Sequence, residues 1–210
     1  KVVNIVNTMC GIIGILGNQD VAQDLFDGLV LLQHRGQDSA GIMTYSDRFH
    51  LKKVNGLVRE VFHTKNMMRL KGSMGVGHVR YPTAGSYDAA EAQPFYVNSP
   101  FGIALIHNGN LTNYEQLKQE VMKNNIRHLN TSSDSEVLLN VVANEILKLN
   151  KLSLQPKDLF KAMKNVYTRC KGSYSVIMMI AGHGLVAFRD PNGIRPLIFA
   201  KRENGKIFPE

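Results

Sequence analysis

The chain carries near its start the stretch Met9-Cys10-Gly11-Ile12-Ile13-Gly14-Ile15, an apolar run with regularly placed glycines and a cysteine at its head. The run to Leu16 is typical of a buried β-strand. A cysteine becomes an unusual nucleophile when cleavage makes it the first residue, because its thiol and a free α-amine then share one residue. Such an amine titrates near about 7.7–8.0 and can act as the general base close to neutral pH.

Composition and charge narrow the class of protein. The chain has 210 residues, 44% hydrophobic and 20% charged, as expected of one globular domain. No apolar run reaches the roughly 18 residues of a membrane span, so we expect no membrane association. The two cysteines, Cys10 and Cys170, form no disulfide framework and favour a reducing compartment, the cytoplasm. Lysine and arginine are scattered despite a net charge of +8, which favours a solvated basic surface over nucleic-acid binding.

Two further expectations concern metals and the first residues. Cysteine and histidine occur at no zinc-site spacing, so we expect no metal in this chain. Residues 1–9 are too short and too mixed for a secretory signal. We interpret them as an upstream remnant, a pro-segment or added sequence, and residues 10–210 as the functional domain.

Strands and helices are predicted in separate groups along the chain. Helical periodicity predicts helices from residue 18 or 20 to about 33, and over 111–124, 134–149 and 156–170. After the first strand, further strands are predicted at 41–45, 49–54, 75–80, 102–107, 173–181, 185–189 and 196–200. Because neighbouring strands are not separated by helices, this order favours an α+β fold with antiparallel sheets and segregated helices.

Four segments combine glycine with polar side chains in a way that core packing does not require. They are Cys10-Gly11, residues 34–41 (HRGQDSAG), residues 77–85 (GHVRYPTAG) and residues 107–110 (HNGN). Together and in this order they resemble the glutaminase domain of class II glutamine amidotransferases, N-terminal-nucleophile hydrolases that release ammonia from glutamine. The resemblance runs from Cys10 to the end of the chain. It implies a four-layer αββα sandwich of two antiparallel sheets flanked by helices.

Within the class, residues 34–41 and the run RDPNGIRPL at 189–197 are most similar to the branch that opens purine synthesis. That branch makes 5-phosphoribosylamine from phosphoribosyl pyrophosphate, so the resemblance implies a phosphoribosyltransferase domain as partner. We find no signature of that domain before residue 210. Mg²⁺ is expected for the absent domain, an iron–sulfur cluster is left open, and the full-length enzyme is expected to be a homo-oligomer.

Two alternatives remain open from the sequence. One is the glutaminase domain of another member of the class, such as glucosamine-6-phosphate synthase. The other is a non-catalytic glutamine-binding domain, which follows if residues 1–9 stay attached, because a peptide-bonded nitrogen is no base.

The resemblance assigns a role to each matching residue. Cys10 would attack the glutamine side-chain amide and form a thioester. Asn108 and Gly109 would donate N–H groups to the oxyanion, although an isolated Asn-Gly pair is typical of a type I′ hairpin turn. Arg80 would hold the α-carboxylate in a bidentate pair, against the alternative of a surface arginine at a strand end. Asp134 would bind the α-ammonium, against the alternative of a helix N-cap.

Supporting roles follow from the same resemblance. Thr83 matches another glutamine contact, and Arg35 matches a cation near the nucleophile that would favour its thiolate. Tyr81 is a further supporting residue beside Arg80. The segment from Arg80 to about Glu91 would form a mobile loop over glutamine. His78 and His107 are interpreted as structural, because the α-amine already supplies the base.

Overall fold

Two antiparallel sheets lie face to face in the computed structural model, which describes residues 9–81, 88–203 and 206–209. The strands are β1 (Gly11–Leu16), β2 (Ser39–Tyr45), β3 (Phe49–Asn55), β4 (Met74–Arg80), β5 (Phe95–Val97), β6 (Ile103–Leu111), β7 (Gly172–Ile180), β8 (Gly184–Arg189), β9 (Ala200–Glu203) and β10 (Lys206–Pro209). The first sheet has the order β1-β4-β2-β3 and the second the order β5-β6-β7-β8, while β9 and β10 form a separate hairpin.

Helices cover the outer faces of both sheets. They are α1 (Ala22–Leu32), α2 (Val58–Val61), α3 (Thr64–Met67), α4 (Tyr114–Lys123), α5 (Asp134–Leu147) and α6 (Pro156–Arg169). The first three pack on the first sheet and the last three on the second. The short helices α2 and α3 and the short strand β5 were not predicted, because their apolar patterns are too brief to show a period.

Three apolar clusters fill the spaces between the resulting four layers. One lies under α1–α3, one lies between the two sheets, and the largest lies under α4–α6. Representative pairs from these clusters are, in that order, Leu29 and Ile42, Val76 and Ile177, and Leu138 and Val142. The arrangement is helix, sheet, sheet, helix, so the predicted αββα sandwich is confirmed.

The first half of strand β6 shows why its sequence is apolar at successive positions. Ile103 and Leu105 face the helices, while Ala104 and Ile106 face the other sheet, and all four are fully buried. Successive side chains of a strand point to opposite faces, so a sheet covered on both faces needs a continuous apolar run.

The same strand runs further than predicted. It continues to Leu111, and Asn108 and Gly109 lie within it, opposite Ser175 and Tyr174 of β7. The alternative of an Asn-Gly hairpin turn is therefore wrong. The partner strand β7 supplies ladder hydrogen bonds past residue 107, and this tertiary pairing overrides the local turn preference.

Polar side chains near the starts of α5, α1 and α4 have different roles. Ser133, not Asp134, is the N-cap of α5, where its hydroxyl accepts from the N–H of Ser135. Asp20 does not cap α1: its carboxylate accepts from the N–H of Gly72 and from Lys71. Asn113 precedes α4 but bridges the Arg169 carbonyl and the Lys171 N–H instead of capping the helix, so these polar side chains join separate segments.

The segment after β8 corrects the last predicted strand. Residues 196–199 form no strand, and β9 begins at Ala200. The chain is instead folded around Asp190, which is 1% exposed and accepts from the N–H groups of Tyr174, Asn192, Ile194 and Arg195. The Asp190 carboxylate thus supplies hydrogen-bond acceptors to the N–H groups of a segment that forms no strand.

Leu138→Ala tests the core under α4–α6. Leu138 is fully buried, so its truncation leaves a cavity and lowers the free energy of unfolding by about 2–5 kcal/mol. Leu152→Ala is the control, because Leu152 is 100% exposed and its truncation changes stability little. Urea denaturation measures both, and equal losses in the two variants would contradict the assigned core.

Asp190→Asn tests the fold of the segment after β8. Burial raises the pKa of Asp190, but hydrogen bonds from the N–H groups of Ile194, Arg195, Tyr174 and Asn192 outweigh it and hold the pKa below its ordinary value. A carboxyl with a depressed folded-state pKa stabilises above its unfolded pKa of about 3.9 and loses that contribution as the pH falls through the folded-state pKa.

At pH 7 the variant should lose about 1–3 kcal/mol, because an amide nitrogen then faces backbone donors. The difference from the wild type should narrow in acid, below about pH 4. Chemical denaturation at several pH values measures this, with the exposed Asp27→Asn as control. A difference that stays constant from pH 7 into acid would show that the charge of Asp190 is not what holds the segment.

Candidate active site

A cleft of about 810 Å³ opens where the ends of β1, β4 and β6 meet the first turn of α5. The antiparallel register pairs Gly11 with Val79, which places Cys10 beside Arg80 at the same end of the first sheet. Five of the predicted site residues line this cleft: Cys10, Arg80, Tyr81, Gly109 and Asp134. The fold therefore gathers side chains that are far apart in the sequence.

Cys10 lies directly before β1, and its thiol faces an environment that disfavours the thiolate. Burial raises the pKa of this thiol, while the N–H of Tyr81 and the charge of Arg80 lower it to a smaller extent. Arg35 lies next to Cys10, as predicted, and its Nε donates to the Cys10 carbonyl at 3.2 Å; its predicted effect on the thiolate stays a prediction. Arg35 thus holds the backbone of Cys10, and Arg80 is the cation that acts on the thiol.

Asn108 and Gly109 sit at adjacent positions on β6. Gly109 lines the cleft, and a Cβ there would lie 2.0 Å from the Ser173 carbonyl oxygen, so only glycine permits this approach of β7. Asn108 is 5% exposed, and strand alternation puts it on the face that carries Ile106, toward the other sheet. Asn108 is not among the described residues that line the cleft. The oxyanion role of the pair stays a prediction.

Arg80 is buried between two acids. Its Nη1 donates to Asp38 at 2.9 Å and its Nη2 to Glu91 at 2.5 Å, and its side chain is 8% exposed. The alternative of a surface arginine is therefore wrong. Ser132 donates to the second oxygen of Glu91 at 2.6 Å and fixes that carboxylate. The predicted grip of Arg80 on a substrate carboxylate would have to compete with these acids, and it stays a prediction.

Asp134 keeps part of its carboxylate open to the cleft. Its Oδ2 accepts from the Leu111 N–H at 2.9 Å, and its Oδ1 lies 3.4 Å from the Ser135 hydroxyl and 3.6 Å from Nδ1 of His107. The side chain remains 20% exposed. An anchored carboxylate with an open edge is a suitable partner for an ammonium group, which is the predicted role of Asp134.

The two histidines near the cleft are neutral at physiological pH. Burial lowers the pKa of His78 to about 3, and burial also lowers the pKa of His107, against the opposing charge of Asp134. Nε2 of His78 lies 3.3 Å from the His107 carbonyl oxygen, and Nδ1 of His107 lies 2.9 Å from the Ser135 hydroxyl. These contacts link β4, β6 and α5, in keeping with the structural interpretation of both rings.

Thr83 lies in residues 82–87, outside the described residues, so its predicted contact and the predicted loop closure remain predictions. Glu91, Gln93 and Ser135 are among the further polar side chains that line the cleft and were not predicted. The sequence Glu91-Ala92-Gln93-Pro94 could have indicated two of them, because Glu91 and Gln93 directly precede an apolar strand whose packing does not require polar residues. The spacing alone could not show that they are buried.

Across residues 9–81, 88–203 and 206–209, no group of three or more His, Cys, Asp and Glu side chains is arranged to hold a metal ion. Among the helices within those ranges, none combines the length and apolar character needed to cross a membrane.

Known proteins share both this sequence and this fold. A family model described as a glutamine amidotransferase domain matches residues 80–209. An amidophosphoribosyltransferase of Pseudomonas aeruginosa is 60% identical over 94% of this chain and 40% of its own length. An amidophosphoribosyltransferase of Escherichia coli is 54% identical over 93% of this chain and 39% of its own length.

A solved structure of glutamine phosphoribosylpyrophosphate amidotransferase from B. subtilis, complexed with ADP and GMP, superposes with a TM-score of 0.74. It is 32% identical and covers 92% of this chain and 40% of its own. The chain thus spans about 40% of the length of the curated relatives it matches. With its paired antiparallel sheets, its cleft at Cys10 and these matches, the chain belongs to the class II glutamine amidotransferase family.

Proposed function

We propose that this chain is the glutamine-hydrolysing part of an amidophosphoribosyltransferase, and that it releases ammonia from glutamine through a thioester on Cys10. The observation that carries the proposal is the composition of the cleft. It combines a thiol, a guanidinium, a carboxylate and a glycine N–H in Cys10, Arg80, Asp134 and Gly109. Free glutamine offers the matching groups: an amide carbon, an α-carboxylate and an α-ammonium.

Binding uses the two charges of the amino acid. The α-carboxylate of glutamine pairs with Arg80, and the α-ammonium pairs with the open edge of Asp134. Because Asp38 and Glu91 already neutralise Arg80, the incoming carboxylate shares or displaces one of these acids. Glutamine that lacks either charge would lose one of these pairs and bind more weakly. Thr83 supplies a further contact in this proposal.

The chemical step needs a base, since burial keeps the Cys10 thiol protonated near neutral pH. In a chain that begins at Cys10, the neutral α-amine takes the thiol proton while Sγ bonds to the amide carbon of glutamine. The C–N bond then breaks, the proton passes to the leaving nitrogen, and ammonia departs. Water adds to the thioester, the C–S bond breaks, and glutamate leaves with the thiol restored.

The tetrahedral intermediates carry a negative oxygen that needs fixed donors. Asn108 offers its side-chain amide and Gly109 its backbone N–H, and the loss of one such donor typically costs about 10²–10³ in rate. Gly109 is suited to this task because it has no Cβ to shield its N–H. The steps above use only groups of this chain and water.

A second domain uses the ammonia in this proposal. The amidophosphoribosyltransferases matched by this chain are more than twice as long, and we propose that the remaining part binds phosphoribosyl pyrophosphate and forms 5-phosphoribosylamine. Mg²⁺ and any iron–sulfur cluster would belong to that part. We further propose that the enzyme is cytoplasmic, which fits the unpaired thiols Cys10 and Cys170. We also propose that the full-length enzyme is a homo-oligomer.

Cys10→Ala is the direct test of the nucleophile. Glutamate release should fall on the order of 10⁶-fold, the scale of loss when a covalent nucleophile is removed. Labelling by a glutamine-analogue electrophile should vanish with it. Cys170→Ala is the matched control, because this thiol is buried in the core under α4–α6 and its pKa is raised by burial to about 12.

An intact-mass measurement of each protein belongs to the same experiment. Only chains that start at Cys10 should turn over glutamine, while chains that retain residues 1–9 should bind glutamine without turnover or not bind it. Wild-type rates in Cys10→Ala, or turnover by a chain with Met9 still attached, would contradict the proposed mechanism.

A further inference from the structure

The side chain of Gln93 is a buried clamp beside the cleft. It is 6% exposed and contacts both β6 and α5. Its Oε1 accepts from the N–H of His107 at 2.7 Å, and its Nε2 donates to the carbonyl of the same residue at 3.2 Å. Nε2 also lies 3.1 Å from the Ser135 hydroxyl. One side-chain amide therefore satisfies both backbone groups of the residue that precedes Asn108.

The register of the sheet explains why a side chain is needed here. The strand β5 begins at Phe95, which pairs with Leu105. If the pairing extended two residues toward the N-terminus, residue 93 would lie opposite His107. The main chain does not continue the ladder at that point, and Pro94 has no N–H to donate. The amide of Gln93 makes the two bonds that a backbone pair would have made.

The segment that carries Gln93 is itself held by the other sheet. Lys53 of β3 donates to the carbonyl of Ala92 at 2.5 Å and lies 4.7 Å from the centre of the Phe95 ring. Glu91, two residues earlier, bonds to Arg80 at the end of β4. Gln93 thus projects from a backbone that is fixed to the first sheet on either side.

The clamp also reaches the far end of the proposed substrate. The Ser135 hydroxyl that meets Gln93 lies within hydrogen-bond distance of Nδ1 of His107 at 2.9 Å and lies 3.4 Å from Oδ1 of Asp134. A continuous polar chain therefore joins the strand of the oxyanion donors to the proposed ammonium anchor. Hydrogen-bonded networks of this kind restrain the positions of their members, although Nε2 of His107 finds no partner among the described residues.

We propose that Gln93 is a positioning residue that fixes the donors at Asn108 and Gly109 relative to Asp134. This inference rests on the proposed function and adds what sets the geometry of its site. Gln93 does not touch the reacting atoms. It holds the strand just before the oxyanion donors, and a displacement of donors by about 1 Å can cost on the order of 10²-fold in rate.

Gln93→Met is the first test, because methionine keeps the length of the side chain and removes all of its hydrogen bonds. The kcat for glutamate release should fall about 10- to 100-fold. An analogue with an aldehyde in place of the glutamine amide adds the Cys10 thiol across its C=O bond, so its oxygen occupies the oxyanion position. Its inhibition constant should rise in parallel with the loss of kcat/KM.

Binding of the product glutamate separates positioning from general damage. Glutamate makes no oxyanion, so its Kd should change by less than about 3-fold in Gln93→Met. Thr44→Val is the matched control: it removes a buried hydroxyl that donates to the Lys71 carbonyl at 2.8 Å, at the end of β2 away from Cys10. This variant should lose stability and keep its kcat, its aldehyde affinity and its glutamate affinity.

Ser135→Ala tests the other half of the clamp and remains informative if Gln93→Met fails to fold. It removes the hydroxyl beside Oδ1 of Asp134 and leaves the Leu111 N–H bond to Asp134 and both bonds between Gln93 and His107, so the KM for glutamine should rise several-fold with kcat nearly unchanged. All assays use the longest natural chain that contains this sequence, with Cys10 verified as its first residue by mass.

Different results would contradict the proposed function and the positioning role of Gln93. A wild-type protein that releases no glutamate and forms no adduct on Cys10 would remove the proposed function itself. An active wild type, with Gln93→Met as active as Thr44→Val at equal folded fraction, would remove only the positioning role. So would equal weakening of the aldehyde and of glutamate, or a Ser135→Ala variant with unchanged KM.

Discussion

The structure depends on the way β1 is held between its neighbours. It pairs with β4 along its whole length, and its Gly14 lets the second sheet approach: a Cβ there would lie 2.7 Å from Cγ2 of Ile177. This close packing stacks the edge of the first sheet on β6 and β7 of the second. Because Cys10 directly precedes β1, the same contact sets the thiol against the cleft. A core constraint and the position of Cys10 are thus one feature of the sequence.

Much of this could be predicted from the sequence, and the reason is periodicity. The apolar stripe of α5 and the alternating or continuous apolar runs of β4, β6 and β7 are long enough to indicate their structure. The predictions failed where a distant partner decides. Asn108 and Gly109 are held in a strand by β7. Directly before the predicted strand at 196–200, the chain turns around Asp190, which accepts from the N–H groups of Asn192 and Arg195.

The candidate site likewise has residues that could be located from the sequence and contacts that could not. Motif resemblance located Cys10, Arg80, Gly109 and Asp134, and the fold brings them to one cleft. It could not show that Arg80 is already paired with two buried acids, or that Arg35 bonds the carbonyl of Cys10. Such partners depend on contacts between sheets, and no local pattern records them. In the proposed mode of binding, the substrate carboxylate would exchange one ion pair of Arg80 for another.

The most direct measurement of the central claim is a crystal structure of the protein, starting at Cys10, after reaction with a ketone electrophile built on glutamine. We expect a bond from Sγ of Cys10 to the analogue. We also expect the analogue's oxygen to lie about 2.7–3.1 Å from Nδ2 of Asn108 and from the backbone nitrogen of Gly109. Its α-carboxylate should face Arg80 and its ammonium Asp134. An adduct on another residue, or an oxygen turned away from Asn108 and Gly109, would contradict the account.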